Sequence, residues 1–501
     1  MKQINITYAK GTGFDPFFDN IRSITVDDDP FAGGGFGDIY HARGFNGGLQ
    51  PSQKQVIKVF KPSTIGKDEH SWKTITRLQE KLIDEIALNA DNGLVFLEQY
   101  PALVAMPQFV FEGTFDGRKV NGYSTTNLNE LGLVSFEDII DKEDSPYIDE
   151  FFDKDMEWRY TVAYHLVRGF NLLYKLHFLH ADISSDNIFI SMRQPTCAIL
   201  DFDSGAIVET MDDNPSTFGK FQPWLAPEIG FQLKSGKSAG VNTLVAINSF
   251  TDAWSVANAI LSILTTMPAY YINDLSENSL RHYVSHYTWP RINTNDPIFN
   301  KESKEGYEFF VEYFEAMLPD DVKNEFIATF SKGVFTPSLR TSYNRWERIL
   351  RKLVPESETK NRISSNSGGN IIRENPVVYG PPIPSNNGSS LGNNRSSLGN
   401  NVSPHAKNEL ENYINALIVD VVNGDENLKH HEFFINDMAK KAGLDGKGIM
   451  AELKDFVELY KDCVANGVIS KFELSNLLAQ GELAMVSEDT INRLLKPYRK
   501  V

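Results

Sequence analysis

Cysteine is scarce in this chain, with two among 501 residues. Cys197 and Cys463 stand too far apart in sequence to suggest a disulfide framework or a zinc site, so each reads as a small apolar residue. Long hydrophobic runs are missing as well. No segment reaches the length of a membrane span, and the start, Met1-Lys2-Gln3-Ile4-Asn5, lacks the apolar core of a signal peptide. Basic residues are short, 49 against 66 acidic ones, for a formal net charge of −17. That balance argues against general nucleic-acid binding and against adsorption to anionic lipid, and it favours solubility and a basic partner. A cytoplasmic protein with neither nucleic acid nor membrane as partner is the simplest expectation. What remains is an ordinary globular composition, 41% hydrophobic and 23% charged, over a length that suits two or three domains.

The stretch that organises the chain is Leu179-His180-Ala181-Asp182-Ile183-Ser184-Ser185-Asp186-Asn187-Ile188-Phe189-Ile190. It sets a carboxylate and a carboxamide in a short loop between a helical run and an apolar strand. A second strand, Ala198-Ile199-Leu200, then ends on Asp201-Phe202-Asp203. Phosphoryl transfer calls for such groups: an aspartate beside the attacking hydroxyl, and an amide with a second aspartate to hold magnesium. Upstream lies a glycine cluster, Ala32-Gly33-Gly34-Gly35-Phe36-Gly37-Asp38-Ile39-Tyr40, between strand-like pieces. Its backbone amides can approach phosphate oxygens unobstructed, and Phe36 can fold over the tip. Against G-x-G-x-F-G-x-V, Gly34 and Gly37 match and Ala32 replaces the first glycine.

Gln55-Val56-Ile57-Lys58-Val59-Phe60 reads as a strand whose Val56, Lys58 and Phe60 share an inward face. A lysine in that setting demands an anion, which makes Lys58 the candidate for the α/β-phosphates and Lys61 a solvated charge. The helix Ser71–Asn89 offers Glu80 and Glu85 as partners for Lys58. They lie about 140° apart on a wheel of 3.6 residues per turn, so one at most faces the lysine, and Glu80 is preferred because Leu82-Ile83 and Ile86-Ala87 would pack around it. A hairpin is expected to turn at Asp116-Gly117, followed by a hinge at Thr125-Thr126-Asn127-Leu128. From about Lys154 a helix carries Trp158, Val162, Leu166, Leu172, Leu173 and Leu176 at helical spacing.

Beyond Asp203, Pro215, Gly219 and Pro223 are expected to exclude regular structure from Ser204–Pro223. Ala226-Pro227-Glu228 follows, then Thr251-Asp252-Ala253-Trp254-Ser255 opening an apolar helix, and later Arg340. Residues 356–406, rich in Ser, Asn, Gly and Pro, read as a linker, with Ile371-Ile372 and Pro376–Tyr379 as an apolar island. Residues 407–501 read as about five short helices. His430-His431-Glu432 within them is taken as a solvated face, and Asp420–His431 fails the calcium-loop pattern.

With these motifs in order, residues 23–355 resemble a eukaryotic-type protein kinase, most of all the divergent bacterial branch with Asp-x-Asp-Ser in place of Asp-Phe-Gly. The resemblance implies an α+β, two-lobed kinase fold: a β-rich N-lobe over residues 1–127 and a helical C-lobe over 128–355, followed by the linker and a small all-α domain weakly similar to tellurite-resistance domains. It implies an ATP- and Mg2+-dependent serine/threonine kinase, autophosphorylating, acting in bacterial signalling or stress response. Asp182 would accept the substrate hydroxyl's proton, Asn187 and Asp201 would hold Mg2+, and Lys58 would pair with phosphates and with Glu80. Gly33, Gly34, Gly35, Phe36 and Gly37 would cradle the nucleotide. Glu228 would pair with Arg340, and Asp252 would support the catalytic loop. A protein substrate is implied and, by analogy, a von Willebrand factor A protein and a metal-dependent phosphatase.

Three departures stand out. Ala181 replaces an arginine that would hold an activation-segment phosphate. Ser184 replaces a lysine that would contact the γ-phosphate. Asp203 replaces glycine beside a metal ligand. With no arginine at position 181, the activation segment is expected to be ordered either by packing, with Phe218, Phe221 and Trp224 as anchors, or by another domain, for which the helical tail is the candidate. Two rival readings remain, a small-molecule phosphotransferase like aminoglycoside or choline kinases, and a nucleotide-binding pseudokinase. For autophosphorylation the candidates are Ser364, Ser365, Ser367, Ser389, Ser390, Ser396, Ser397 and Ser403, with Ser216 and Thr217 as competitors.

Overall fold

The structure is a computed structural model; it describes residues 1–63, 66–89, 93–142, 145–208, 215–235, 243–267, 269, 276–292, 296, 304–359, 404–423, 428–465, 469 and 471–498. The expected linker therefore falls almost wholly outside the described residues, and so do the apolar island and the eight candidate serines between 364 and 403. The chain divides into two compact units, Met1–Ile363 and Ser364–Val501.

Unit one begins with a sheet built from β1 (Lys2–Gly11), β2 (Ser23–Val26), β3 (Ala32–Gly33), β4 (Gly37–Phe45), β5 (Gln55–Phe60), β6 (Phe109–Phe115) and β7 (Arg118–Thr126). The order is β2-β1-β6-β7-β5-β4-β3, and β2 also pairs with β4, which closes the sheet on itself. Ile24 thus faces Ile4 on one neighbour and Phe45 on the other. Closure removes the open edges that a sheet otherwise exposes. Inside lie Ile4, Phe18, Ile24, Phe45, Ile57, Phe109 and Phe111, all buried. β1 was not anticipated, although Ile4, Ile6 and Tyr8 alternate as a strand should. The hairpin at Asp116-Gly117 forms as expected, with both turn residues at positive φ, +46° and +74°.

Helix α1 (Lys67–Asn89) packs beside this sheet. Ile75, Leu78, Leu82 and Ile86 are its buried apolar residues, recurring at the three- and four-residue intervals of one helical face. The helical half follows, with α2 (Met156–Lys175), α3 (Pro227–Ser235), α4 (Ser249–Thr265) and α5 (Tyr343–Leu350) among its helices. Val162, Leu166, Leu172, Leu173 and Leu176 are all buried, as their spacing required, while Trp158 at the start of the stripe is half-buried. Small ladders shape the loops between helices: β8 (Leu133–Ser135), β10 (Ile188–Ser191) and β11 (Cys197–Ile199) form one sheet, β9 (Phe178–Leu179) pairs with β12 (Ala206–Ile207), and β13 (Ser216–Gly219) pairs with β14 (Thr243–Ala246). Regular structure therefore does enter the stretch 204–223, because β14 offers a partner that no local pattern announces.

In unit two the described helices are α6 (Pro404–Asn423), α7 (Glu432–Lys441), α8 (Gly446–Val464), α9 (Lys471–Leu483) and α10 (Glu488–Leu495). Leu410, Ile414, Ile418, Ile435, Leu453, Phe456, Leu477 and Ile491 are buried in it. His431 is engaged by the Tyr413 hydroxyl at 2.7 Å. No helix among the described residues is long and apolar enough to cross a membrane, and none of their His, Cys, Asp and Glu side chains cluster in threes that could hold a metal.

Candidate active site

Two ladders bring the chemical groups together. In β10–β11, Ile188 pairs with Ile199, and the Leu200 N–H donates to the Asn187 carbonyl at 2.9 Å, so Asn187 lies alongside the strand that ends at Asp201. In β9–β12, Leu179 pairs with Ala206, which ties the two aspartate loops to each other. The Asn187 amide then donates to the Asp182 carbonyl across its own loop at 2.8 Å.

The loop around Asp182 needs a brace, since Ala181 sits at φ +62° and Asp201 at +63°. A non-glycine residue there carries a backbone cost of about 1–3 kcal/mol. Asp252, near the start of α4, supplies that brace: its carboxylate accepts the N–H of His180 at 2.6 Å and of Ala181 at 2.9 Å. Burial pushes the Asp252 carboxyl up to about 7 against the pull of those two N–H groups. His180 is buried among Phe170, Phe178 and Phe202. Burial lowers its pKa to about 4, so it is neutral, and its Nε2 donates to the Leu200 carbonyl at 2.7 Å.

Lys58, on β5, is buried and bonded to two carboxylates: Asp201, and Asp203 at 2.7 Å. The Tyr123 hydroxyl also donates to Asp203, at 3.2 Å. Burial favours the neutral form of Lys58, but the carboxylates of Asp201 and Asp203 outweigh it and hold the pKa well above the usual lysine range. Burial likewise pushes Asp201 upward, but Lys58 and a bond from Asp203 hold it well below the carboxylate range. Burial raises Asp203, whose second oxygen has no partner.

The expected Lys58–Glu80 pair does not form. Glu80 is half-exposed and bonds to Arg77 one turn earlier, while the described contacts of Lys58 include neither Glu80 nor Glu85. The reason is the phase of α1. The face bearing Ile75, Leu78 and Leu82 is the buried one, and at its upper end Ser71 donates to the Asp203 carbonyl and Thr74 to the Gly205 carbonyl, each at 3.1 Å. Glu80 lies off that face. Asp203 occupies the place beside Lys58 that was assigned to a helix glutamate; its replacement of glycine was the available signal.

Lys58, Tyr123, Asp182, Asn187 and Asp201 line a cleft of about 470 Å³, with residues 33–37 forming one wall and the hinge residues 125–128 another. The glycine hairpin is tight at its base: a side chain at Gly37 would run into the Val59 carbonyl, with a Cβ 2.7 Å from that oxygen. At Gly34 a Cβ would meet nothing within 4 Å, so the loop tip leaves free space. Lys61 pairs with Asp38 at 2.8 Å outside the cleft. Lys67 lies between the Phe36 and Phe218 rings, its Nζ 5.1 and 5.4 Å from their centroids.

Asp182 faces this cleft. Burial pushes its carboxyl up to about 6, with the Lys220 ammonium, 3.1 Å away, pulling the other way. Lys220 was not foreseen; its approach depends on the β13–β14 pairing. Further along, Arg340 holds Glu228 in a two-pronged pair at 2.8 and 2.7 Å, and also donates to the Gly333 and Phe250 carbonyls. Thr217 is buried and bonds to the Ser204 carbonyl. Trp224 is buried against Phe136, and Phe218 packs edge-on to His70. Phe221 is 52% exposed, contrary to its expected role as an anchor.

Residues 140–323 match the family model described as a protein kinase domain. The matched stretch carries Asp182, Asn187, Asp201, Glu228 and Asp252; Lys58 and the glycine hairpin precede it, and Arg340 follows it. It supports a protein kinase-type phosphotransferase with a two-lobed fold, a class that generally uses ATP and Mg2+ on protein substrates. No curated protein matches the chain. The donor set suits that chemistry: an amide oxygen and a carboxylate, from Asn187 and Asp201, are the hard ligands Mg2+ takes, and buried Lys58 suits phosphate.

Proposed function

We propose that this chain is a serine/threonine protein kinase that uses ATP and Mg2+, phosphorylates itself as well as a protein substrate, and works in the cytoplasm of a bacterium in signalling or stress response. The observation that carries the reading is the grouping of Lys58, Asp182, Asn187 and Asp201 around one cleft floored by the hinge and roofed by the glycine hairpin. In the reaction, the bond between the γ-phosphorus and the bridging oxygen breaks, and ADP leaves with that electron pair. A new bond forms from the acceptor's hydroxyl oxygen to the phosphorus, and the hydroxyl proton passes to Asp182. Mg2+ held by Asn187 and Asp201 would neutralise phosphate charge. Lys58, fixed by Asp201 and Asp203, offers its ammonium to the nucleotide phosphates, and the hinge backbone offers hydrogen-bonding groups to the adenine.

A protein acceptor is favoured over a small molecule because Glu228 and Arg340 brace the segment after Trp224, and a rigid segment there suits peptide docking. A pseudokinase is disfavoured because the base and both metal-binding side chains are present. The helical region 407–501 is proposed as a separate domain joined through residues 356–406, and a von Willebrand factor A protein and a metal-dependent phosphatase are proposed partners by analogy alone. Incubation with labelled ATP, Mg2+ and either a basic protein, an aminoglycoside or choline tests the reading. Label on protein supports it, label on a small molecule points to the rival enzyme, and nucleotide binding without transfer points to the pseudokinase.

A further inference from the structure

The catalytic loop lacks a cation where the resemblance calls for one. Ser184 stands two residues past Asp182, and its hydroxyl is bonded to Asp186. Yet an ammonium does reach the same carboxylate. Lys220 comes from the activation segment and places its Nζ 3.1 Å from Asp182 Oδ2, in the lining of the same cleft. It is delivered there by structure: Gly219, the preceding residue, is the last of β13 and pairs with Thr243, and Thr217 fastens the strand to Ser204 from below. Lys58 is already committed to Asp201 and Asp203. Lys220 is 40% exposed on its side chain, so it keeps donors free for a ligand, since an ammonium has three.

We propose that Lys220 is a catalytic residue that binds the γ-phosphoryl group of ATP beside Asp182, replacing the lysine absent at position 184. The argument rests on the kinase reading above. A carboxylate base and a phosphoryl group repel each other at close range, and a cation in contact with both offsets that repulsion as the phosphoryl passes from ADP oxygen to the acceptor oxygen. Because the cation directly follows β13, nucleotide chemistry then depends on the β13–β14 ladder, which couples that ladder to transfer.

The test compares the full chain with Lys220→Met, Lys220→Arg, and Lys220→Met combined with Ser184→Lys, by calorimetric titration with ATP and with ADP in the presence of Mg2+, alongside steady-state transfer. Loss of one charge-assisted bond to the terminal phosphate weakens ATP binding in Lys220→Met about tenfold or more, with ADP binding unchanged. Transfer falls in kcat more than in KM for the protein acceptor. Lys220→Arg keeps most of the ATP preference, and Ser184→Lys restores part of it. Equal weakening of ATP and ADP would make Lys220 merely structural and overturn the proposal, as would an unchanged ratio of the two affinities. Wild-type protein that binds neither nucleotide would remove the kinase reading itself, whereas normal wild-type binding with an unchanged variant ratio removes only the role of Lys220.

Discussion

Lys58 is held by two aspartates that lie two residues apart on one loop. Both face the same ammonium, and Asp203 is wholly buried. Asp203→Asn leaves Lys58 paired with Asp201 and loses a bond between charged groups, worth about 1.5–3 kcal/mol, so it is expected to lower the melting temperature and to reduce kcat/KM for ATP by about tenfold. Glu80→Ala, by contrast, breaks only an exposed pair with Arg77, and such pairs are worth about 0–1 kcal/mol; both quantities should stay near wild type. Thermal melts and steady-state kinetics on the two variants check this, and the reverse ranking would return the role to the helix glutamate. The difference also marks where residue-level reading succeeded. Asp182 and Asn187 share one loop, and Lys58 is the one charged residue of a strand buried along its whole length, so local composition and spacing sufficed to single them out. The choice between Glu80 and Glu85 turned on helix phase, and the buried face through Ile75, Leu78 and Leu82 leads instead to Ser71 and Thr74.

At the level of elements, the loop around Asp182 is clamped to α4 through Asp252, and that clamp has a pH signature. Burial raises this carboxyl from 3.8 to about 7. Between those values the folded protein holds a proton that the unfolded chain has released, so the Asp252 contribution to stability is full at low pH and is lost as pH rises through about 7. Asp252→Asn removes the titration. Melting temperatures measured at about pH 5 and about pH 7 should therefore fall more in wild type than in the variant; equal falls would mean the carboxyl titrates normally. Elements also explain what stayed hidden. Strands β13 and β14 are separated by 23 residues between their facing ends, and nothing in Ser216–Gly219 alone signals a strand. The sheet closure has the same character, since β2 meets β4 through a pairing set by the whole lobe. The β6–β7 hairpin and α2 were legible because a two-residue turn and a helical stripe are local.

For the whole molecule, residues 215–228 are held by the β13–β14 ladder, by buried Thr217 and Trp224, and by the Glu228–Arg340 pair. Thr217, with its hydroxyl bonded inward, is not presented to another kinase. We propose that control lies in the remainder of the chain, with the helical unit as the candidate. Two proteins compared in one assay test this: the Ser216→Ala/Thr217→Ala variant should retain most activity, since one lost hydrogen bond costs about 1 kcal/mol, while truncation after Pro355 should change activity more. A dead double variant beside a normally active truncation would place control in the segment.

The central claim is that Asp182 is the base of a protein-directed phosphoryl transfer. Its most direct test is mass spectrometry of the full-length protein after incubation with ATP and Mg2+, for wild type and for Asp182→Asn. The account predicts phosphoserine or phosphothreonine on the wild-type chain, including serines between 364 and 403. The variant should be modified at least about a hundredfold more slowly, the scale set by loss of a general base, while still binding ATP. Equal phosphorylation of the two proteins would contradict it.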